Sequence, residues 1–372
     1  MRVTVERSEL VKSLTHVHRV VERRNTIPIL SNILIDGADG RLKLKATDLD
    51  IEIVETLSAD VAGDGATTVP AHVFYDLVRK LPDGAQIVLE SGADDSSLIV
   101  RSGRARFMLQ VLPAADFPDL TAGEMTHAFT ISSAVLKRLL DKTQFAISQE
   151  ETRYYLNGIY LHATESDGKP VLRAVATDGH RLARLETEAP EGIGGMPGII
   201  VPRKTVQELQ RLLETPDAIV DIELSATKIR FTIGQVVLTS KLIDGTFPDY
   251  GRVIPSGNDK MLKLDNKAFA RAVDLVSTVS SERGRAVKLS IAPDRVVLSV
   301  NNPDSGSATE EVPADYASEP IDIGFNARYL LDITGQLDTD TAVFELNDAG
   351  SPTLVHDEED LSALYVLMPM RV

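Results

Sequence analysis

The chain has 372 residues, 43% of them hydrophobic and 25% charged, with no cysteine, no tryptophan and a formal net charge of −16. That length and composition fit a globular protein of two or three domains, and the absent thiols exclude disulfides and thiolate metal sites. No apolar run approaches the roughly 20 residues needed to cross a bilayer, and the opening Met1-Arg-Val-Thr-Val-Glu-Arg has no signal-peptide core, so a cytoplasmic chain with no membrane partner is expected.

In chain order, residues 8–24 form the first candidate helix, with Leu10, Leu14, Val17 and Val21 at helical spacing. The turn signal Asp39-Gly40 and the alternating Asp50-Ile51-Glu52-Ile53 then predict a hairpin. Val69-Pro70 opens a second helix over 71–81, followed by the turn signal Asp83-Gly84. A third helix, 132–143, carries Val135, Leu136, Leu139 and Leu140 on one face. Val201-Pro202 opens a fourth over 203–213, and Ile229-Arg-Phe231-Thr-Ile233 alternates as a strand before the turn signal Asp244-Gly245. The last two helices are predicted over 264–276, with Phe269, Val273 and Val276 inward, and over 325–334.

The order repeats. Ala46-Thr47-Asp48 recurs as Ala176-Thr177-Asp178, and Phe117-Pro118-Asp119 as Phe247-Pro248-Asp249, both 130 residues later; Val69-Pro70 recurs as Val201-Pro202 after 132. A period this long implies duplicated domains rather than a solenoid. The predicted fold class is α+β: three repeated domains, each with two helices packed on antiparallel sheets, spanning 1–125, 126–255 and 256–372. The polar stretch 121–126 and Pro255-Ser-Gly-Asn-Asp259 set the boundaries.

The net acidity is the wrong sign for a groove-binder of DNA, whose affinity comes largely from phosphate neutralisation. Its distribution is more informative. The six predicted helices sum to +7, leaving −23 on the remainder. Helices facing one way would offer a phosphate-tolerant surface on an acidic body, although solvated helix faces commonly carry Lys and Arg without such a role. No zinc module, recognition helix or aromatic RNA motif reads bases.

Catalysis is not expected. Thr177-Asp178-Gly179-His180-Arg181 places an acid beside an imidazole, but Asp178-Gly179 reads as a turn. No Gly-rich phosphate loop ends in Gly-Lys-Ser/Thr. His16 and His18 point to different faces of a helix, so no metal and no cofactor is predicted.

Five blocks, Arg153-Tyr-Tyr-Leu-Asn-Gly158, Ala176-Thr-Asp-Gly-His-Arg-Leu-Ala183, Val201-Pro-Arg-Lys204, Phe247-Pro-Asp-Tyr250 and Tyr365-Val-Leu-Met-Pro-Met-Arg371, resemble the bacterial DNA polymerase III beta subunit, in that family's order and over the whole chain. The resemblance implies a non-catalytic sliding clamp: a head-to-tail homodimer whose six clamp domains form a ring around double-stranded DNA. It implies a clamp loader, the replicative polymerase alpha subunit, and other polymerases and repair proteins as partners, and association with the nucleoid and replisome. It further implies a peptide-binding cleft walled by Leu156, Thr177, Gly179, His180, Arg181, Leu182, Pro248, Arg252, Val253, Val366, Met368, Pro369, Met370 and Arg371. Leu, Val and Met side chains make an adaptable apolar pocket for a linear motif. Two departures from the family pattern bear on it: Gly251 where many relatives carry a basic residue, and Gly350-Ser351-Pro352 where a β-branched residue and then Ser are expected. Carried over in the same way, Arg24, Arg153, Tyr154, Arg203 and Lys204 would contact DNA. Arg104, Arg106, Phe107 and Leu109 would meet Leu275, Glu310 and Glu311 of a second protomer. The rival reading is a peptide-binding scaffold with no DNA role, which shares the cleft and differs only at the hole.

Overall fold

Among the described residues, every α-helix begins where a strand ends. The computed structural model describes residues 1–93, 96–120, 123–280 and 286–372. Strand Arg2–Glu6 runs into α1 (Arg7–Val17), Gly65–Pro70 into α2 (Ala71–Lys80), and His127–Ser132 into α3 (Ser133–Asp141). Ile199–Pro202 runs into α4 (Arg203–Leu212), Lys260–Asp265 into α5 (Asn266–Ser277), and Ile321–Asn326 into α6 (Ala327–Thr334). The junction residues explain the switch. The Glu6 carboxylate accepts the Ser8 and Glu9 amides, Asp265 accepts that of Ala268 at 2.7 Å, and Asn326 that of Arg328 at 2.9 Å. Each oxygen satisfies a first-turn N–H that has no partner inside the helix. At two of the other three starts, Pro70 and Pro202 preset the backbone at a position whose N–H the helix does not need.

Close contacts divide the chain into two compact units. The first comprises Met1–Lys137, Pro190–Pro197 and Lys204–Leu242; the second comprises Arg138–Ala189, Gly198–Arg203 and Ile243–Val372. In the first unit, a five-stranded antiparallel sheet ends on the strand Ala105–Gln110. An eight-stranded antiparallel sheet joins Val236–Lys241 to Ile51–Ser58, with Leu238 opposite Ile53. The second unit has one twelve-stranded antiparallel sheet, in which Arg181–Glu188 joins Ala363–Leu367, with Leu182 opposite Val366. Each seam uses the first five residues of the strand that follows the Thr-Asp turn, residues 51–55 in one and 181–185 in the other. Each unit also buries its own core. Leu10 and Leu14 of α1 and Phe74 of α2 are fully covered in the first, as are Phe269 and Val273 of α5 in the second. Burying each such side chain contributes roughly 1.5–3 kcal/mol.

The repeat is visible at the level of single hydrogen bonds. Thr47 Oγ1 donates to the Ile51 carbonyl at 2.9 Å, and Asp48 Oδ1 accepts the Asp50 and Ile51 amides. Thr177 Oγ1 donates to the Arg181 carbonyl at 2.7 Å, and Asp178 Oδ1 accepts the His180 and Arg181 amides. The third turn residue is left-handed in both, Leu49 at φ 79° and Gly179 at φ 90°. Glycine is at ease there, whereas a leucine carries backbone strain.

Several expectations are corrected. The helix predicted over 8–24 stops at Val17, where the His18 amide caps the Leu14 carbonyl; Val20 and Val21 stay buried in the following turns, so the apolar spacing outlasts the helix. The helix predicted from 325 starts at Ala327, and the one predicted from 264 starts at Asn266, because the preceding residues complete strands. Asp39-Gly40 is a hairpin turn with positive φ at both residues. Asp244-Gly245 is not one: Gly245 instead allows a close approach, since a Cβ there would lie 3.0 Å from that of Tyr155. Thr121 and Ala122 of the first predicted boundary lie outside the described residues.

Candidate functional site

In the second unit, an apolar floor forms beside the Thr177 turn. Leu156, Val175, Leu182, Ile200, Phe247, Leu354 and Val366 are buried together, with Tyr155, Tyr250, Ile254 and Leu364 packed against them. Leu156, Leu182 and Val366 were named from sequence. Val175, Ile200, Phe247 and Leu354 were not, although Val175 lies two residues before Thr177 on the same strand and so shares its face. Leu354 supplies an apolar side chain two residues after Pro352, in the strand Thr353–Asp357.

Around the floor stand the exposed residues His180, Pro248, Arg252, Val253 and Met368, the last two 45% and 39% accessible. The Met368 amide donates to the His180 carbonyl at 2.9 Å, and the Met370 amide to that of Gly324 at 2.8 Å, so residues 368–370 run from the turn to the strand Ile321–Asn326. Pro369 lies between these two bonds, and Arg371 is exposed. Arg252 pairs with Asp249 at 2.8 Å across Gly251.

Arg181 differs from this exposed set: it is only 7% accessible. Its guanidinium donates to Asp178 at 3.1 Å, Asp332 at 2.6 Å and the Phe145 carbonyl at 2.6 Å, and lies 4.3 Å from the centre of the Tyr329 ring. The side chain ties the turn to α6. Beside Gly179, the Arg153 guanidinium occupies the space a Cβ would need, at 2.5 Å, and is held by Glu150 at 2.7 Å.

The candidate DNA residues are placed differently from one another. Arg24 is exposed beyond the end of α1, and Tyr154 is 54% accessible on the turn Glu151–Leu156. Arg203 and Lys204 begin α4. Lys204 is half-buried, and its ammonium donates to Glu22 at 3.0 Å, to Asp48 and to the Val20 carbonyl. Burial works against that charge, but Asp48 and Glu22 outweigh it and hold the pKa above the ordinary lysine value. The six helices as observed carry a net +6, leaving −22 on the rest of the chain.

Two sheet margins carry candidate subunit residues. On the edge strand Ala105–Gln110, Arg106, Phe107 and Met108 are exposed, with Arg104 exposed just before it and Leu109 half-buried. The strand Gly306–Tyr316 pairs with Arg295–Asn302 along one side, but meets Lys260–Asp265 only through residues 314–316. Among the described residues, 306–313 therefore have a single strand neighbour, and Glu310 and Glu311 lie on that stretch. Leu275 is 59% exposed on α5.

Comparison with known proteins assigns all three repeats. Family profiles described as the N-terminal, central and C-terminal domains of the DNA polymerase III beta subunit match residues 1–121, 130–249 and 251–371. The chain belongs to the DNA polymerase III beta subunit family. Beta sliding clamps of Caulobacter vibrioides and Escherichia coli K12 are 54% and 41% identical to it, each over the whole of both chains. The fold matches a crystal structure of the sliding clamp from Bartonella birtlesii bound to griselimycin, with a TM-score of 0.97 and 58% identity over the whole of both chains. As a member of the beta subunit family, the chain is a DNA sliding clamp, a processivity factor with no catalytic role. No helix among its described residues is long and apolar enough to span a membrane.

Proposed function

We propose that two copies of this chain, with domains 1–125, 126–255 and 256–372, join head to tail into a six-domain ring that encircles duplex DNA. The observation that carries this reading is the unused third seam. Two seams inside the chain pair a strand that follows a Thr-Asp turn with the last strand of the next repeat. The chain has two strands left over: the basic, apolar Ala105–Gln110, the last strand of the first repeat, and the acidic 306–313 stretch, which opens the equivalent strand of the third repeat after an Asn302-Pro-Asp-Ser305 turn instead of Thr-Asp. They cannot satisfy each other by closing a three-repeat chain on itself if a duplex passes through, but two chains satisfy both pairs. Arg104 and Arg106 then face Glu310 and Glu311, with Phe107, Leu109 and Leu275 between them. An apolar centre with a charged rim suits a stable interface, and two copies of a heterologous contact close the ring.

In this reading, the helices line the hole and carry Arg203 and Lys204, with Arg24 beyond the end of α1, while Arg153 and Tyr154 stand near its rim. DNA contact is sequence-independent. The floor around Leu182 and Val366 takes the hydrophobic end of a partner's linear motif, with Met368 and Met370 as one adaptable wall. The clamp loader, the replicative polymerase alpha subunit, and other polymerases and repair proteins compete for that cleft at the nucleoid, in the cytoplasm.

The test is retention on DNA circles. Loaded protein is expected to survive high salt on a closed circle and to run off once the circle is linearised. Release from both forms by salt alone would make it an electrostatic binder and overturn encirclement.

A further inference from the structure

The strand Ile321–Asn326 contains one residue whose identity its own backbone does not require. Gly324 is buried, lies opposite Lys288 in a regular antiparallel ladder, and is not among the residues with positive φ. Any side chain could adopt that conformation, and glycine weakens a strand interior. The reason for it lies on the strand's other side. There the Met370 amide donates to the Gly324 carbonyl at 2.8 Å, forming an isolated antiparallel bridge. A Cβ at residue 324 would lie 2.7 Å from the Met370 carbonyl oxygen and would collide with both γ-carbons of Val372. Real Cβ atoms do not approach a backbone oxygen that closely, so the tail would have to leave.

We propose that Gly324 is a positioning residue for the peptide cleft. It allows residues 368–372 to lie against the sheet edge, and so holds Met368 and Met370 in place as a wall. The proposal rests on the cleft reading above. The tail has two anchors, Met368 on the His180 carbonyl and Met370 on Gly324. The first fixes the tail to the Thr177 turn; the second fixes its direction. With the second lost, the two methionines remain attached but no longer present one surface, and a bound motif must order them itself.

The experiment compares two full-length proteins, the parent and Gly324→Ala, with a deletion of residues 368–372 and the doubly altered chain. Each is titrated with a fluorescent peptide carrying a hydrophobic clamp-binding motif, and hydrogen exchange at the Met370 amide is followed in the two that keep the tail. Gly324→Ala is expected to weaken the peptide about 10-fold and to speed Met370 exchange, with thermal midpoint and dimer mass retained. The same substitution is expected to change nothing further once the tail is deleted. If tail deletion itself leaves peptide affinity unchanged, the cleft reading fails. If deletion weakens binding but Gly324→Ala leaves affinity and exchange as in the parent, or weakens binding equally without the tail, the positioning role fails. Should Gly324→Ala fold poorly, Met370→Pro, which removes the donated amide, is compared with Met370→Ala, which keeps it; equal affinities would also overturn the role.

Discussion

Arg181 and Lys204 show what burial does to a charged side chain. Both stand in sequence blocks that suggest contact with a ligand, yet each spends its donors inside the protein. Arg181 serves Asp178, Asp332 and the Phe145 carbonyl, and Lys204 serves Glu22, Asp48 and the Val20 carbonyl. Removing one member of a buried pair leaves an uncompensated charge and typically costs 3–5 kcal/mol, less where a side chain is partly solvated. Lys204→Glu would set a third carboxylate among Glu22 and Asp48. It is expected to lower the thermal midpoint by several degrees, while Lys204→Met lowers it less; equal midpoints for Lys204→Glu and the parent would rule out a structural role for the pair.

His162 makes a second residue-scale case. Its ring stacks on Tyr160 at 4.7 Å and bonds to the Tyr250 hydroxyl at 2.9 Å, and burial holds its pKa below the ordinary histidine value. The unfolded chain therefore binds a proton at a higher pH than the folded one. Stability from this site is fully present above the ordinary value of roughly 6.5 and falls as pH drops through it towards the lower folded value. His18, stacked on Tyr75 at 3.8 Å and also depressed by burial, acts in the same direction. Thermal midpoints measured from pH 7.5 to 5 should decline, and His162→Gln should flatten the decline. An unchanged slope in that variant would show that His162 stays neutral throughout or is unstrained when charged.

At the scale of elements, the deciding feature is the edge strand. An exposed strand with apolar side chains is an aggregation hazard unless something covers it, and Ala105–Gln110 offers Phe107 and Met108 to solvent in the isolated chain. A second protomer's strand is the cover proposed above. Phe107→Asp puts a charge at the centre of that contact and adds to the repulsion from Glu310 and Glu311. It is expected to shift the mass in dilute solution from dimer to monomer with little change in thermal midpoint, since Phe107 is outside the core. A dimer that persisted at nanomolar concentration would place the subunit contact elsewhere.

For the whole molecule, charge separation matters more than net charge. An acidic chain with a net +6 on its helices suits a protein that stays on DNA without gripping it. Tight neutralisation of phosphates would oppose sliding, whereas threading needs only the absence of repulsion at the hole. Much of this was legible in the sequence. Two tripeptide echoes and one dipeptide echo at nearly one offset announced the repeats, because a turn such as Thr-Asp uses the same local hydrogen bonds wherever it occurs. Apolar periodicity located the first helix of each repeat, because one face of each must be buried, and Val-Pro marked the start of the second in two of them. Helix ends were less legible: Val20 and Val21 are as buried in turns as they would be in a helix, and the pattern records burial, not backbone. What only the tertiary structure decided is which distant segments meet. That Leu354 completes the floor, that Arg181 turns inward to Asp332, and that Gly324 makes room for Met370 all depend on contacts between residues far apart in the chain. Local propensity carries no information about such pairs, since each exists only once the sheet has brought its two segments together.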